Sequence, residues 1–350
     1  MESIKQDNSF HFMLICRLFH NKYLVRSDQN MLQMNLIKKL KSSYEIRLST
    51  DNRLICHNMG TKTIVYNFNS WEKIIELNKP KHPSQMRFSK NNDFLLIKST
   101  TGTICVYDTS NFQLVKTIHP TGSFKIIEGN VNFTQDNLIL DVIQTNNGQQ
   151  IVSININTGD HTILTEFENP FTFIDYNHFV QNMSFHLFTL NYVNNETDYQ
   201  ENKIIKVNEP INKRSVSVEI ISNPQKLIWD SVIYDSFNDF YILVDDYEII
   251  VVDSAFKNVL KKKKFVNEDY PHEGTGYLWH IHIMNNCRFI VLTFSQSIFI
   301  LRNEDLKTIL VEKNPNLGHT FIFSEFTNDD QYLLVSTSEN GYVLENSLLI

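Results

Sequence analysis

The stretch Gln85–Ile118, QMRFSKNNDFLLIKSTTGTICVYDTSNFQLVKTI, carries the pattern that decides the fold. Four short strands can be read in it: one that ends at Phe88, and three that cover residues 94–97, 104–108 and 114–118. The turn residues Asn91–Asp93 separate the first two strands, and Thr101–Gly102 separate the next two. Short strands joined by such turns are typical of a tightly wound antiparallel sheet. The stretch therefore predicts one four-stranded unit.

Two local markers indicate that this unit is repeated along the chain. The first marker is a third strand that ends in apolar-x-apolar-x-Asp/Asn, and it falls at Asn35, Asn67, Asp108, Asn155, Asn208, Asp253, Asn303 and Asn346. The second marker is a first strand followed by a polar turn and a new apolar strand, and it falls at Phe19, Leu48, Phe88, Phe133, Phe179, Tyr234, Ile283 and Phe326. The markers alternate strictly, at a mean spacing of about 44 residues.

No segment shows a sustained helical period with caps, so the fold class is all-β. Four strands in each repeat, without helices, favour radial blades around a central axis. The repeats resemble WD40-type β-propeller repeats, most clearly at residues 85–118, 45–77 and 321–346. The family's Gly-His pair is missing, and its Trp-Asp is replaced by pairs such as Tyr107-Asp108; Trp229-Asp230 lies in a first strand instead. The resemblance implies a ring of four-stranded antiparallel blades that acts as a scaffold for protein interactions.

The repeats predict a single closed propeller domain over residues 1–350. The predicted units are 10–43, 44–79, 85–120, 124–168, 171–223, 226–268, 277–316 and 320–350. This division favours eight blades, with seven as the alternative. The last unit stops after its third strand, so we expect an N-terminal strand within residues 1–9 to complete it and close the ring, because closure removes an exposed sheet edge.

Composition limits the possible classes of protein. A hydrophobic content of 42% and a charged content of 20% are typical of a globular chain. The net charge of −7 argues against nucleic acid as a partner, because nucleic-acid binders carry a basic face. No segment has the ~18 apolar residues of a membrane-spanning helix, and no signal peptide is recognised. The four cysteines lie apart in apolar strands, which predicts buried free thiols and an intracellular protein, with the cytoplasm favoured over the nucleus.

The segment 267–279, NEDYPHEGTGYLW, is the strongest candidate for partner binding. It is a long connector between units, and aromatic residues on exposed connectors often anchor interfaces. The candidate partner-binding residues are Tyr270, His272, Tyr277 and Trp279. The alternative is a loop folded onto its own blade, with Trp279 in the core.

Other chemistry-bearing clusters have simple structural readings. His280 and His282 alternate on one strand, downstream of His272 and Glu273, and could share a metal in the axial channel. The alternative for these histidines is a solvated channel or surface position, and no metal or other cofactor is expected. The acidic residues 245–248 are expected to form a hairpin turn rather than a calcium site, and Lys261–Lys264 to form a solvated edge strand rather than a phosphate site.

The chain has no Gly-x-Ser-x-Gly elbow, no Gly-rich phosphate loop and no Cys-x-x-Cys pair, so we do not expect an enzyme. The sequence favours a non-catalytic scaffold for an unidentified protein partner. Two alternatives stay open. One is a propeller hydrolase or lactonase with a metal in the axial funnel, and the other is a structural subunit of a large complex.

Overall fold

The structure is a computed structural model of the 350-residue chain. It describes residues 34–41, 44–120, 125–126, 131–134, 137–145, 148–166, 172–175, 184–192, 199–212, 215–265, 275–313 and 320–349. Every described residue belongs to one compact unit, Gln33–Ile350. No helix formed by these residues has the length and apolar character needed to cross a membrane.

The described residues form seven antiparallel sheets. The first strand, β1 (Leu36–Lys41), belongs to the last of these sheets. Sheet 1 contains β2 (Ile46–Leu48), β3 (Leu54–Asn58), β4 (Thr63–Asn67) and β5 (Lys73–Leu77). Sheet 2 contains β6 (Pro83–Phe88), β7 (Phe94–Ser99), β8 (Ile104–Asp108) and β9 (Leu114–Ile118). In sheet 3, β10 (Lys125–Ile126) and β11 (Asn132–Phe133) both pair with β12 (Leu138–Thr145), followed by β13 (Gly148–Asn155) and β14 (His161–Glu166).

The remaining four sheets follow the same order along the chain. Sheet 4 contains β15 (Thr172–Asp175), β16 (Ser184–Tyr192), β17 (Tyr199–Asn212) and β18 (Ser215–Ile221). Sheet 5 contains β19 (Ser231–Asp235), β20 (Phe240–Val244), β21 (Glu248–Asp253) and β22 (Val259–Lys264). Sheet 6 contains β23 (Leu278–Ile283), β24 (Phe289–Phe294), β25 (Ser297–Arg302) and β26 (Thr308–Lys313). Sheet 7 contains β27 (Phe321–Phe326), β28 (Tyr332–Thr337), β29 (Asn340–Glu345) and β1, and a short 3-10 helix, Ser347–Leu349, follows β29.

The predicted all-β class and four-stranded antiparallel unit are confirmed. The strand that completes sheet 7 differs from the prediction: it is β1, which pairs with β29 in the register Lys39 to Tyr342. The prediction that residues 1–9 supply this strand is wrong, because β28 and β1 occupy both edges of β29. The physical reason is the sequence of β1, LIKKLK, which buries Leu40 and exposes lysines, as an outer edge strand does.

Left-handed turn residues recur at equivalent positions of different sheets. Positive φ angles near 55–60° occur between first and second strands at Asn52, Asn92, Asn137, Asp239, Cys287 and Asp330. A second set lies between third and fourth strands, at Trp71, Phe112, Gly159, Phe256 and Leu306. Asn and Asp tolerate this conformation, which explains five of the six residues of the first set, all except Cys287. In the second set, burial of Phe112, Phe256 and Leu306 offsets the steric cost of a bulky residue.

Side-chain hydrogen bonds explain both sequence markers. At the end of the first strand, Ser49 Oγ and Ser89 Oγ each accept a bond of 2.9 Å from the amide five residues later. At the end of the third strand, Asn67 Oδ1 accepts 3.0 Å bonds from the amides of Asn69 and Ser70. Asp108 and Asn155 accept equivalent bonds from the amide two residues later, and Asp253 Oδ1 accepts one from the amide of Lys257, four residues later. An Asn or Asp at this position closes the turn locally, so the Trp-Asp pair is not needed for it.

The core lies between neighbouring sheets, because the central strands are buried on both faces. In β24 all six residues, FIVLTF, are buried. Apolar clusters join sheets 1 and 2, 2 and 3, 4 and 5, 5 and 6, 6 and 7, and 7 and 1. Between sheets 2 and 3 the core also contains an ion pair. Lys98 Nζ lies 2.7 Å from Asp141 Oδ1, and both side chains are fully buried.

The prediction of buried free thiols is confirmed for two of the three described cysteines. Cys56 and Cys105 are buried free thiols, and Cys287 is free and half-buried. Cys16 lies outside the described residues.

A glycine at the turn between β7 and β8 provides a test of the contact between sheets 2 and 3. Gly102 has a φ of +82°, and a Cβ there would lie 2.2 Å from the Ile126 carbonyl oxygen. We expect Gly102→Ala to lower the free energy of unfolding by at least about 2 kcal/mol in urea titrations, because backbone strain and a clash add. Gly60→Ala is the control, since Gly60 has a φ of +78° and the added carbon would have only Tyr44 Cε2, at 3.9 Å, within 4 Å outside its chain neighbours. Equal losses in the two variants would contradict the proposed clash.

Candidate functional site

One end of the sheets carries the turns between second and third strands together with the residues that lead into the first strands. Hydrogen bonds join neighbouring sheets here: Leu278 N to Asp246 Oδ1 (2.7 Å), Phe321 N to Ser295 O (3.0 Å), Ser336 Oγ to Tyr44 O (2.7 Å) and Asn58 Nδ2 to Pro83 O (3.2 Å). These bonds link sheet 5 to sheet 6, then to sheets 7, 1 and 2. This end therefore forms one continuous surface across five sheets.

Four large aromatic side chains are exposed on this surface, which we call the aromatic end. The exposed fractions are 46% for Tyr44, 47% for Tyr247, 66% for Tyr277 and 40% for Trp279. Tyr277 and Trp279 stand two residues apart at the start of β23, and Tyr247 lies in the turn between β20 and β21. Aromatic residues are enriched among the side chains that dominate binding energy at protein interfaces.

The backbone under Tyr277 is fixed by its neighbours. Tyr277 N donates to Ser295 Oγ at 3.0 Å, and Tyr277 O accepts from Ser295 N at 2.8 Å. Thr275 O accepts from Gln296 N at 3.0 Å. Gly276, at a φ of +76°, passes so close to this turn that a Cβ would lie 1.9 Å from Ser295 Oγ. The exposed ring is thus held on a pre-organised segment, which lowers the entropy cost of binding.

Carboxylates flank these rings on sheet 5. Asp245 Oδ1 accepts bonds from Tyr247 N at 2.7 Å and Glu248 N at 2.6 Å, as the predicted acidic hairpin turn requires. Burial, followed by the negative charges of Asp246 and Asp245, raises the pKa of Asp230 to about 6. Burial also raises the pKa of Asp245, and the Glu248 and Asp246 carboxylates add to this effect. Like charges are therefore gathered beside Tyr247.

The structure brings together two of the four predicted partner-binding residues. Tyr277 and Trp279 both lie at the aromatic end, and Trp279 is too exposed for the alternative that placed it in the core. Tyr270 and His272 lie outside the described residues. Sequence reasoning missed Tyr44 and Tyr247, although an aromatic residue inside the polar hairpin DDYE was a usable signal for Tyr247.

The candidate metal residues His280 and His282 lie on a first strand, next to a network of charged side chains. Arg47 pairs with Glu45 at 2.8 Å and with Glu325, and Arg87 Nη1 lies 2.7 Å from Glu45 Oε1. The Arg47 guanidinium also stacks 4.5 Å from the Phe323 ring. The network crosses three sheets, 7, 1 and 2, and both glutamates are engaged by arginine.

The two histidines lie beside this network on sheet 6. His280 Nδ1 is 3.0 Å from Ser324 O, and its ring packs 4.6 Å from that of Phe323. The His282 ring lies 6.3 Å from that of Phe326. Within the described ranges, no three His, Cys, Asp or Glu side chains group so that they could hold a metal ion. His272 and Glu273, the other members of the predicted cluster, lie outside these ranges.

Burial controls the protonation of the histidines. Burial lowers the pKa of His280 to about 3, against the opposing attraction of Glu325, and it also lowers the pKa of His282. For Glu325, burial opposes ionisation, but the positive charge of Arg47 leads a larger opposite effect and lowers its pKa to about 2. At neutral pH the first strands of sheets 6, 7, 1 and 2 thus bring together two neutral histidines, His280 and His282, and the arginine–glutamate network described above. Such a set holds neighbouring sheets together.

The basic run forms the edge strand β22, as predicted, but two of its lysines bond to the next sheet rather than to solvent. Lys261 Nζ donates to Asn303 O at 2.8 Å, and Lys263 Nζ donates to Leu306 O at 2.7 Å. Both lysines therefore cap the turn between β25 and β26 of the next sheet. Lys262 points elsewhere and pairs with Glu248 at 2.8 Å.

No protein-family model and no curated protein sequence matches the chain. The chain is similar in structure to the C-terminal WD40 domain of Sif2, with a TM-score of 0.60 and 10% sequence identity over 89% of this chain and 98% of that domain. It is also similar to the β-propeller domain of Cps50 (Swd1) from Myceliophteria thermophila, with a TM-score of 0.64 and 9% identity over 90% of this chain and 100% of that domain. Identities this low show the fold alone. The chain has a WD40-like β-propeller fold built from four-stranded antiparallel blades.

Proposed function

We propose that the chain is a non-catalytic protein-interaction scaffold, and that the aromatic end binds its protein partner. The observation that carries the proposal is the set of exposed aromatic side chains on one hydrogen-bonded surface, with Tyr277 66% exposed on a fixed segment. Rigid scaffolds that present exposed loops are suited to binding. The similarity to WD40 domains supports an interaction role in general terms.

We also propose that the seven sheets form a closed ring of seven blades, rather than the favoured eight. Six apolar clusters join neighbouring sheets, and β13 of sheet 3 contacts β15 of sheet 4. Together these contacts join each sheet to the next, from sheet 1 to sheet 7, and join sheet 7 to sheet 1. The predicted unit 10–43 has one described strand, β1, and that strand joins sheet 7. That residues 1–350 form a single domain stays a prediction.

The arginine-paired glutamates, Glu45 and Glu325, argue against a hydrolase site in the axial funnel. A general base needs a carboxylate that is able to accept a proton near neutral pH. Glu325 has a pKa of about 2, and Glu45 contacts Arg47 and Arg87. This network supports a structural role for the first strands.

The role of a wrapped structural subunit receives less support. Exposed apolar residues do occur on outer strands, at Leu36, Ile37, Ile74, Leu114, Val115, Ile163, Ile220, Val259 and Leu260. They are spread one or two per sheet over six sheets, which is the pattern of isolated surface residues. A subunit buried in a complex would present a contiguous apolar face.

The test uses the partner recovered with the tagged full-length chain and then purified. We expect Tyr277→Ala with Trp279→Ala to raise the dissociation constant at least about tenfold in calorimetry, because both rings would be interface anchors. The control is Ile74→Ala with Val115→Ala, which removes apolar side chains that are 45% and 41% exposed on outer strands. Unchanged affinity in the aromatic variant, or equal weakening in the control, would overturn the proposal.

A further inference from the structure

The partner-binding surface described above carries a charge pattern that selects among partners. Resting on the proposed function, we infer that the aromatic end receives a positively charged, extended protein segment. Its Lys or Arg side chains contact the rings of Tyr247 and Tyr277 and the carboxylates of Asp230, Asp245 and Asp246. The partner thus supplies cations, and this chain supplies aromatic faces and anions.

The first step is the mutual repulsion of the carboxylates. The charges that act most strongly on Asp230 are those of Asp246 and Asp245, and both are repulsive. On the adjacent basic strand, Lys261 and Lys263 donate to carbonyls of sheet 6, and Lys262 pairs with Glu248. An approaching cation relieves this repulsion, so complementarity of charge favours a basic partner.

The second step is the neighbourhood of the aromatic rings. The Leu278 amide is bonded to Asp246 at 2.7 Å, so the strand that carries Tyr277 and Trp279 begins against the acidic turn. Tyr247 belongs to that turn itself. Guanidinium and ammonium groups are attracted to the faces of Tyr and Trp rings. One cationic side chain can therefore make a cation–π contact with a ring and an ion pair with a carboxylate at the same time.

The third step separates a peptide from a metal ion. In the described part of the chain these carboxylates do not group closely enough to hold a metal. Asp246 Oδ1 and Asp245 Oδ1 also accept backbone hydrogen bonds. Negative charge spread along a surface suits several cationic side chains on one extended segment, rather than one small ion.

The experiment titrates the full-length chain with a fluorescein-labelled (Arg-Ala)4 peptide, using fluorescence anisotropy at physiological salt. The variant is Asp230→Asn with Asp245→Asn and Asp246→Asn, which keeps one acceptor oxygen at each position and removes three charges. We expect its dissociation constant for the peptide to rise about tenfold, since several modest ion pairs are lost together. A (Glu-Ala)4 peptide should bind neither protein.

The matched control removes three charges elsewhere, in Glu72→Gln with Asp160→Asn and Glu304→Gln. These residues are exposed in turns between third and fourth strands, at the other end of the sheets. Both triple variants shift the formal net charge from −7 by the same amount. We expect less than a twofold effect in the control. No binding by the parent chain, equal weakening in both triples, or tighter binding of (Glu-Ala)4 would overturn the inference.

The two proposals fail in different ways. If the peptide result is negative while Tyr277→Ala with Trp279→Ala weakens binding of the recovered partner, the basic segment is wrong and the binding surface stands. If that double variant leaves partner affinity unchanged, the binding surface itself is wrong.

Discussion

In the variant Lys98→Met, the free energy of unfolding is expected to fall by about 3–5 kcal/mol, because the substitution leaves the carboxylate of Asp141 buried without its cation. In the parent chain the two charged atoms are 2.7 Å apart, and both side chains have no exposed surface. Lys98 lies on β7 and Asp141 on β12, so the pair ties sheet 2 to sheet 3. Urea unfolding followed by circular dichroism measures the loss.

The double variant Lys98→Met with Asp141→Leu provides the control. Replacing both partners of a buried ion pair by apolar residues removes the charge that was left behind, so most of the lost stability should return. A single variant as stable as the parent, or a double variant less stable than the single one, would show that the pair is not buried as described.

Acid is expected to destabilise the fold between pH 7 and pH 5, by about 2 kcal/mol for each of two histidines, the buried His57 and the half-buried His280. Burial lowers the pKa of His57 to about 4 and that of His280 to about 3, from an ordinary value of 6.5. As the pH falls below the ordinary histidine pKa of 6.5, these histidines become protonated in the unfolded chain but stay neutral in the folded chain. Proton binding to the unfolded chain therefore favours unfolding. Below about pH 4.5, protonation of Glu325 adds to the loss, because its folded pKa is also lowered.

His57→Phe isolates one part of this effect. His57 is 1% exposed, burial is the cause of its shift, and its ring stacks on Tyr66 at 5.7 Å. A phenyl ring keeps the stack, so the difference in unfolding free energy between pH 7 and pH 5 should shrink by about 2 kcal/mol. Asp230, whose raised pKa acts in the opposite direction, is unchanged in this comparison. His119→Gln, at an exposed position, is the control, and an equal pH dependence in all three proteins would refute the assignment.

The repeat could be predicted because its signals are local. The turn after Phe88 is closed by the Ser89 hydroxyl, and the turn after Asp108 by the Asp108 carboxylate, within a few residues of each marker. Local signals could not predict which segment of the chain forms the outer strand of sheet 7. The segment before Asn35 and the segment LIKKLK both alternate, and only pairing with β29, about 300 residues away, distinguishes a third strand from an outer one.

The site was predictable only in part, because its contacts are long-range. Tyr277 and Trp279 were identifiable as aromatics in a connector, but the bond from Leu278 to Asp246 depends on how sheets 5 and 6 meet. The Lys98–Asp141 pair spans 43 residues, and the Arg47–Glu325 pair spans 278. One usable signal was present, since Lys98 interrupts the apolar run FLLIKS and Asp141 interrupts LILDVI. A lone charge in a buried strand indicates a partner without naming it.

The central claim is that sheets repeated along the chain close on themselves through β1. It is tested most directly by oxidative cross-linking of the variant Lys39→Cys with Tyr342→Cys, in a chain that also carries Cys16→Ser and Cys287→Ser. These two positions are register partners in β1 and β29, so we predict a disulfide that forms under mild oxidation and raises the melting temperature. The control pair, Lys39→Cys with Ile163→Cys, joins sheet 7 to sheet 3 and should remain reduced. A folded protein that forms no disulfide between positions 39 and 342, or forms the control disulfide as readily, would contradict the account.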